Sequence, residues 1–221
     1  MRRGSSQWQD AASGLRRRCR AAPRPSPCRE VEEERKINQR SYHHGDLRRA
    51  IVDATVQAIT ESGPADWSLR DVARRAGVSH AAPAHHFGDK AGLLTAIATE
   101  GFELFAEALT RAGADFLEVG TAYVRFAVGH RAHFEVMFRP ELYHPDDPAV
   151  SAARDRARDV LAQGARTLTT DKAQERTAAL AAWSLVHGLS TLWLSGALPD
   201  DLDSTPESAA RPVLRFLLPG Q

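Results

Sequence analysis

The chain has 221 residues and a formal charge of only +1, from 29 Lys and Arg against 28 Asp and Glu. That balance conceals a division: residues 1–41 hold eleven basic and five acidic residues, a net +6, whereas residues 42–221 hold 18 and 23, a net −5. Cys19 and Cys28 both lie in the basic segment, so the acidic body can have no disulfide staple and no Cys-rich zinc site, and it must be held by apolar burial. Neither a secretory leader nor a run of the roughly 18 apolar residues that cross a bilayer is expected. A cytoplasmic protein without membrane contact is the expectation.

Residues 1–41 contain Pro23, Pro25, Pro27, the run Arg16-Arg17-Arg18 and the acidic run Glu32-Glu33-Glu34 without helical or strand periodicity. This composition predicts a disordered basic extension. It reads either as an arm for nucleic acid or as a solvated segment without a role; Val31 is also compatible with an alternative start.

From Asp46 a helical pattern sets in, with Leu47, Ile51, Ala54, Thr55, Ala58 and Ile59 on adjoining strips, and Ser62-Gly63-Pro64 ends it. Ser68 followed by Asp71 predicts a capped short helix from Leu69 to Ala76. Gly77 then supplies a left-handed turn, and Ser79 is expected to cap a second short helix. A helix, a tight turn and a helix in this order make a helix-turn-helix unit.

Further on, Gly88-Asp89-Lys90 introduces a long helix with Leu94, Ala98, Gly101, Phe105 and Leu109 on one face. One continuous helix is expected from Asp115 to Phe138, then a loop punctuated by Pro140, Pro145 and Pro148, then a helix from about Ala149 to Gly164. Thr170 is expected to cap a helix reaching Gly196, apolar on more than one side, and Thr205-Pro206 opens a last helix that Pro212 should kink or restart. No segment carries a strand pattern, so the fold class expected is all-α.

Residues Ser68 to Ser79, with His86-Phe87-Gly88-Asp89-Lys90, Leu93 and Leu94 and the opening Tyr42-His43-His44-Gly45-Asp46-Leu47-Arg48, resemble the N-terminal DNA-binding domain of the TetR family of transcriptional regulators. Trp183-Ser184-Leu185-Val186-His187-Gly188 resembles a Trp, His, Gly signature in the C-terminal ligand-binding domain of one TetR subfamily. The resemblance implies a three-helix helix-turn-helix domain over 42–90, then a helical bundle for effector binding and dimerisation over 91–221. It implies a dimeric regulator, most often a repressor, released from a palindromic double-stranded DNA operator by a small molecule. Where many relatives have Thr, a bulky apolar residue and Tyr, this chain has Ala82, Pro83 and Ala84, so one hydroxyl and one phenol contact to DNA are missing.

The residues support that reading on their own chemistry. His80, Ala81 and Ala82 fall at the end of the reading helix that meets base edges: His80 can donate or accept, and an alanine can touch a thymine methyl. Ser79, His85, His86 and Lys90 are candidates for phosphate, Tyr42 and His44 for positioning the first helix, and Ser68 and Arg70 for the DNA backbone. Residues 42–90 hold six basic and six acidic side chains, which limits phosphate attraction.

For an effector the aromatic set Phe105, Tyr123, Phe126, Phe134, Met137, Phe138 and Trp183, with His187, reads either as plain core or as the lining of a cavity suited to a small apolar or aromatic molecule. His187 is expected to bond a backbone carbonyl or to face the ligand. Leu185, Gly188, Leu189, Leu192, Phe216 and Leu217 are the candidates for a homodimer interface. His130 and His133, three apart, permit a metal but lack a clustered partner, and neither metal nor cofactor is expected. No nucleophile elbow, phosphate loop or carboxylate constellation points to an enzyme. A DNA-binding activator or architectural protein without an effector is the alternative, ahead of a helical small-molecule-binding enzyme.

Overall fold

The computed structural model describes residues 46–199, 205–216 and 218. The basic extension, Tyr42, His44 and Leu217 lie outside the described residues. All regular structure among the described residues is helical. Helix α1 runs through 46–62, followed by α2 (Leu69–Arg75), α3 (Ala82–Phe87), α4 (Lys90–Arg111), α5 (Phe116–Gly129), α6 (Arg131–Met137), α7 (Pro148–Ala165), α8 (Glu175–Leu194) and α9 (Pro206–Arg215).

Local chemistry explains most of the boundaries. Ser68 accepts the Asp71 N–H at the start of α2, Asp89 that of Gly92 at α4, Asp115 that of Glu118 at α5, and Thr205 that of Ser208 at α9. Gly77 stands between α2 and α3 at φ +67°, a conformation in which a side chain would cost about 1–2 kcal/mol.

Four expectations are corrected. Helix α3 starts at Ala82 rather than beside Ser79: a turn closed by the Ala82 N–H on the Ser79 carbonyl comes first, which places Pro83 in the first turn, where its missing N–H breaks no helical bond. The segment 115–138 is two helices, because His130 leaves helical angles (φ −124°, ψ 46°) right after Gly129 and lays its ring on Phe126 at a centroid distance of 4.6 Å. Helix α8 begins at Glu175, since the Asp171 carboxylate takes the Ala173 N–H in a local turn that competes with helix. Pro212 lies within α9, exposed to solvent, and does not end it.

Helix α4 is the organising element: it packs on α3, α5, α6 and α7. Its inward face carries Leu93, Leu94, Ile97, Ala98, Phe102, Phe105 and Leu109, each at most 4% exposed. Gly101 lets α6 come close, because a Cβ there would sit 2.7 Å from Met137 Sδ. Helices α5, α8 and α9 pack mutually, and the described residues form one compact unit with these two groups sharing a continuous apolar core. Helix α8 is also long and apolar enough to cross a membrane by length and composition, contrary to the expectation that no run would reach it.

Candidate functional site

Three helices build the first site. Val72 and Ala73 of α2 are fully buried, and Pro83 anchors α3 from its first turn. The opposite side of the turn and of α3 then presents Ser79, His80, Ala81, Ala84 and His85 to solvent, with Ala82 and His86 half-buried. The His85 and His86 rings meet edge-on at 5.3 Å. With only six residues, α3 is a short reading element bearing small side chains and imidazoles.

The cations around it are mostly engaged. Arg74 and Arg75 are both bound by Asp71, and Arg75 also by Glu61. Arg49 is bound by Asp53 and Glu100. Lys90 donates to the carbonyls of Ala65 at 2.7 Å and Trp67 at 3.0 Å, with its ammonium 4.4 Å from the centre of the Trp67 ring, so it ties the α1–α2 loop to the start of α4. Arg48, part of the opening motif but given no role by sequence reasoning, donates to the His86 carbonyl at 3.2 Å and lies over the Phe87 ring at 4.3 Å. It braces α3 from α1, a long-range contact that no local pattern announces. Exposed Arg70 has no ion-pair partner among the described residues, and Ser68 is spent on its cap.

The second site lies between α4, α6, α7 and α8. A cavity of about 460 Å³ is lined by Phe102, Phe105, Met137, Phe138, Tyr143, Arg154, Ala157, Arg158, Leu161, Arg176, Leu180 and Trp183, among others. Of the eight expected pocket residues, Phe105, Met137, Phe138 and Trp183 line it. Phe134 and His187, with Phe138, instead face a cleft of about 530 Å³ between the 62–66 loop, α6 and α8. Phe126 and Tyr123 are core, 2% and 0% exposed.

Tyr123 joins the two spaces. Trp183 Nε1 donates to the Tyr123 hydroxyl at 3.2 Å, and that hydroxyl lies 2.9 Å from His187 Nδ1. Because indole can only donate, the phenol keeps its own proton for His187, which fits a neutral imidazole accepting through Nδ1. Burial lowers the His187 pKa and pushes the Tyr123 phenol well above its ordinary range, so both groups stay uncharged. His187 thus bonds a side chain rather than a backbone carbonyl.

Sequence reasoning missed Phe102, Tyr143, Arg154, Arg158, Arg176 and Leu180. A signal for them exists: Arg154, Ala157, Arg158, Leu161 and Ala162 follow i, i+3, i+4, i+7, i+8 spacing on α7, and Arg176, Ala179, Leu180 and Trp183 follow i, i+3, i+4, i+7 on α8. Two arginines inside an apolar stripe mark a face that is not simply solvated.

Of the proposed interface residues, Leu192 and Phe216 are 45% and 89% exposed, Leu185 and Gly188 are half-buried, and Leu189 is buried within the chain's own core. Among the described residues no group of three or more His, Cys, Asp or Glu is placed to hold a metal ion.

Comparison with known proteins agrees with both halves. Residues 51–97 match the family described as bacterial regulatory proteins, tetR family, and residues 116–216 match the tetracyclin repressor-like C-terminal domain. The HTH-type transcriptional regulator BetI of Burkholderia mallei is 31% identical over 169 residues, 69% of this chain and 83% of that protein, and BetI of Escherichia coli is 31% identical over 170 residues, 68% of this chain and 82% of that one. Among solved structures, a protein of unknown function from Rhodococcus sp. RHA1 is 30% identical with a TM-score of 0.66, covering 80% of this chain and 95% of that one. The TetR-family regulator PfmR of Thermus thermophilus is 24% identical with a TM-score of 0.58, covering 76% and 96%, and shares the fold. An all-helical chain with an N-terminal helix-turn-helix, related to transcriptional regulators along most of its length, belongs to the TetR family and is a DNA-binding transcriptional regulator.

Proposed function

We propose that this regulator is a dimeric, cytoplasmic repressor, released from a palindromic operator when a small molecule enters the cavity between α4, α6, α7 and α8. The observation that carries the reading is the shared use of α4. Its first turn holds the helix-turn-helix through Lys90, and Phe102 and Phe105 of the same helix form part of the cavity wall. At 1.5 Å per residue its 22 residues span roughly 33 Å, so a ligand that displaces one end tilts the other. The required coupling is modest: about 1–3 kcal/mol of differential affinity gives a 5- to 150-fold loss of operator binding. Small-molecule occupancy has a precedent in the fold, since LfrR of Mycobacterium smegmatis has been crystallised with proflavine.

Dimerisation falls to α8 and α9. Leu192 and Phe216 leave an apolar surface unpartnered in the single chain, and covering it with a symmetry mate satisfies α8 without a membrane. Base reading falls to His80, Ala81 and Ala82, and backbone contact to Arg70, Ser79, His85, His86 and, in part, Lys90. We assign residues 42–90 to DNA reading, 91–221 to effector binding and dimerisation, and 1–41 to a basic extension. The relatives are regulators rather than enzymes, and no catalytic role is assigned.

Selection of bound duplexes from a random library tests this reading. It predicts a palindromic consensus with half-site centres about one helical turn, 34–36 Å, or somewhat more apart, bound by two chains. A consensus without two-fold symmetry would overturn the dimeric repressor.

A further inference from the structure

The cavity between α4, α6, α7 and α8 has an uneven chemistry. Its floor and far wall are apolar, formed by Phe102, Phe105, Met137, Phe138 and Trp183, and its α7–α8 rim carries Arg154, Arg158 and Arg176. No aspartate or glutamate lines it. Three cations therefore converge on one apolar space with no built-in counter-charge.

Their other contacts do not neutralise them. Arg154 Nε is buried with no hydrogen-bond acceptor, and the guanidinium's other contacts are with neutral oxygens, a long 3.4 Å one with Ser151 Oγ and one with the Tyr143 hydroxyl. Arg158 reaches Asp155 at 3.6 Å, with both side chains about two-thirds exposed, a pair that water screens. Arg176 has no ion-pair partner among the described residues. By contrast Arg156, on the other face of α7, pairs with Glu103 of α4. A buried guanidinium N–H without an acceptor is costly and is kept where something else supplies the acceptor. A planar, permanently charged fork beside a second cation one turn along the helix matches a carboxylate or a similar oxyanion.

Resting on the reading of this cavity as the effector site, we propose that the effector is an organic anion with an apolar or aromatic body, its anionic group on Arg154 with Arg158 and Arg176 and its body against Phe102, Phe105 and Trp183. The same arrangement rejects cations: a ligand ammonium would enter a site that already holds three positive charges. The aromatic floor alone would accept a neutral molecule of the same shape, so the arginines set the preference.

The test uses the full chain and three ten-carbon probes that differ only in the head group: decanoate, decanol and decylamine, titrated by calorimetry. Decanoate is expected to bind about tenfold or more tighter than decanol, with decylamine weakest, as charge-assisted bonds to arginine dictate. Arg154→Leu should abolish the preference, bringing decanoate to the level of decanol, and Arg154→Lys should restore part of it. Ala162→Trp, at an exposed position on the rim, should block all three probes while circular dichroism stays as in the parent. Decanol or decylamine binding as tightly as decanoate would overturn the anionic class and leave the effector cavity standing. Binding of none of the probes, or decanoate binding that survives Ala162→Trp, would overturn both.

Discussion

Arg49 of α1 donates to Glu100 of α4 at 2.8 Å, and the other oxygen of the same carboxylate lies 3.4 Å from His133 Nε2 on α6. One side chain on the long helix thus meets a cation from the DNA-reading half and an imidazole from the effector half. Side-chain interaction with His133, and then with Arg49, outweighs the opposing effect of burial and holds the Glu100 carboxyl down from an ordinary 4.5 to about 2.

A folded-state pKa below the unfolded value means that the unfolded chain binds the proton more readily. The stabilisation is complete above about pH 4.5 and is lost as the pH falls toward 2. Urea denaturation of the parent and of Glu100→Gln should therefore show a stability gap at neutral pH that closes over that window. A gap independent of pH would remove Glu100 from the account of acid sensitivity.

The Trp183–Tyr123–His187 chain gives a second prediction. Tyr123→Phe removes one hydroxyl and leaves the indole N–H and His187 Nδ1 without their partner, at a cost of about 1–3 kcal/mol. The fluorescence of Trp183 should shift to the red as water takes over its N–H. Burial depresses the His187 pKa below 6.5, so its contribution to stability is full above that pH and declines as the pH drops below it. Loss of the hydroxyl with no change in midpoint or emission would mean that the three groups do not act together.

At the DNA-reading surface, His80 and Lys90 separate two roles. His80 is exposed and unburdened by structure, so His80→Ala should relax preference at one base position by roughly 1–3 kcal/mol and leave the melting temperature unchanged. Lys90 is tied to Ala65 and Trp67, so Lys90→Ala should weaken all duplexes alike and also lower the melting temperature by several degrees. Equal weakening by both variants across matched and scrambled duplexes would sink the assignment of His80.

The parts of this architecture readable in the sequence are those set within a few residues. Ser68 with Asp71, Gly77, Asp89 and Thr205-Pro206 each mark a boundary by a contact that closes locally, and each stands where the pattern puts it. The break at His130 and the late start of α8 escaped because a stacked ring and an Asp171 turn compete with helix by small local margins. The aromatic half of the cavity was legible, since large apolar side chains at helical spacing must point inward. Its arginine half was not, because Arg154 and Arg158 sit among other charges on α7, and only the packing of α7 on α4 and α8 shows which of them face inward. The same holds for Arg48, whose partners on α3 are 38 or more residues away.

Fluorescence anisotropy on DNA from the region upstream of the gene, against a scrambled duplex of equal length, tests the central claim most directly. It should be run over a salt series with the full chain and with residues 1–41 removed. The account predicts selective binding that saturates at two chains per site and survives removal of the extension, with a shallower salt dependence once its net +6 is gone. Binding that is equal on both duplexes and disappears with the extension would contradict it, because DNA contact would then belong to the basic arm and not to His80, Ala81 and Ala82.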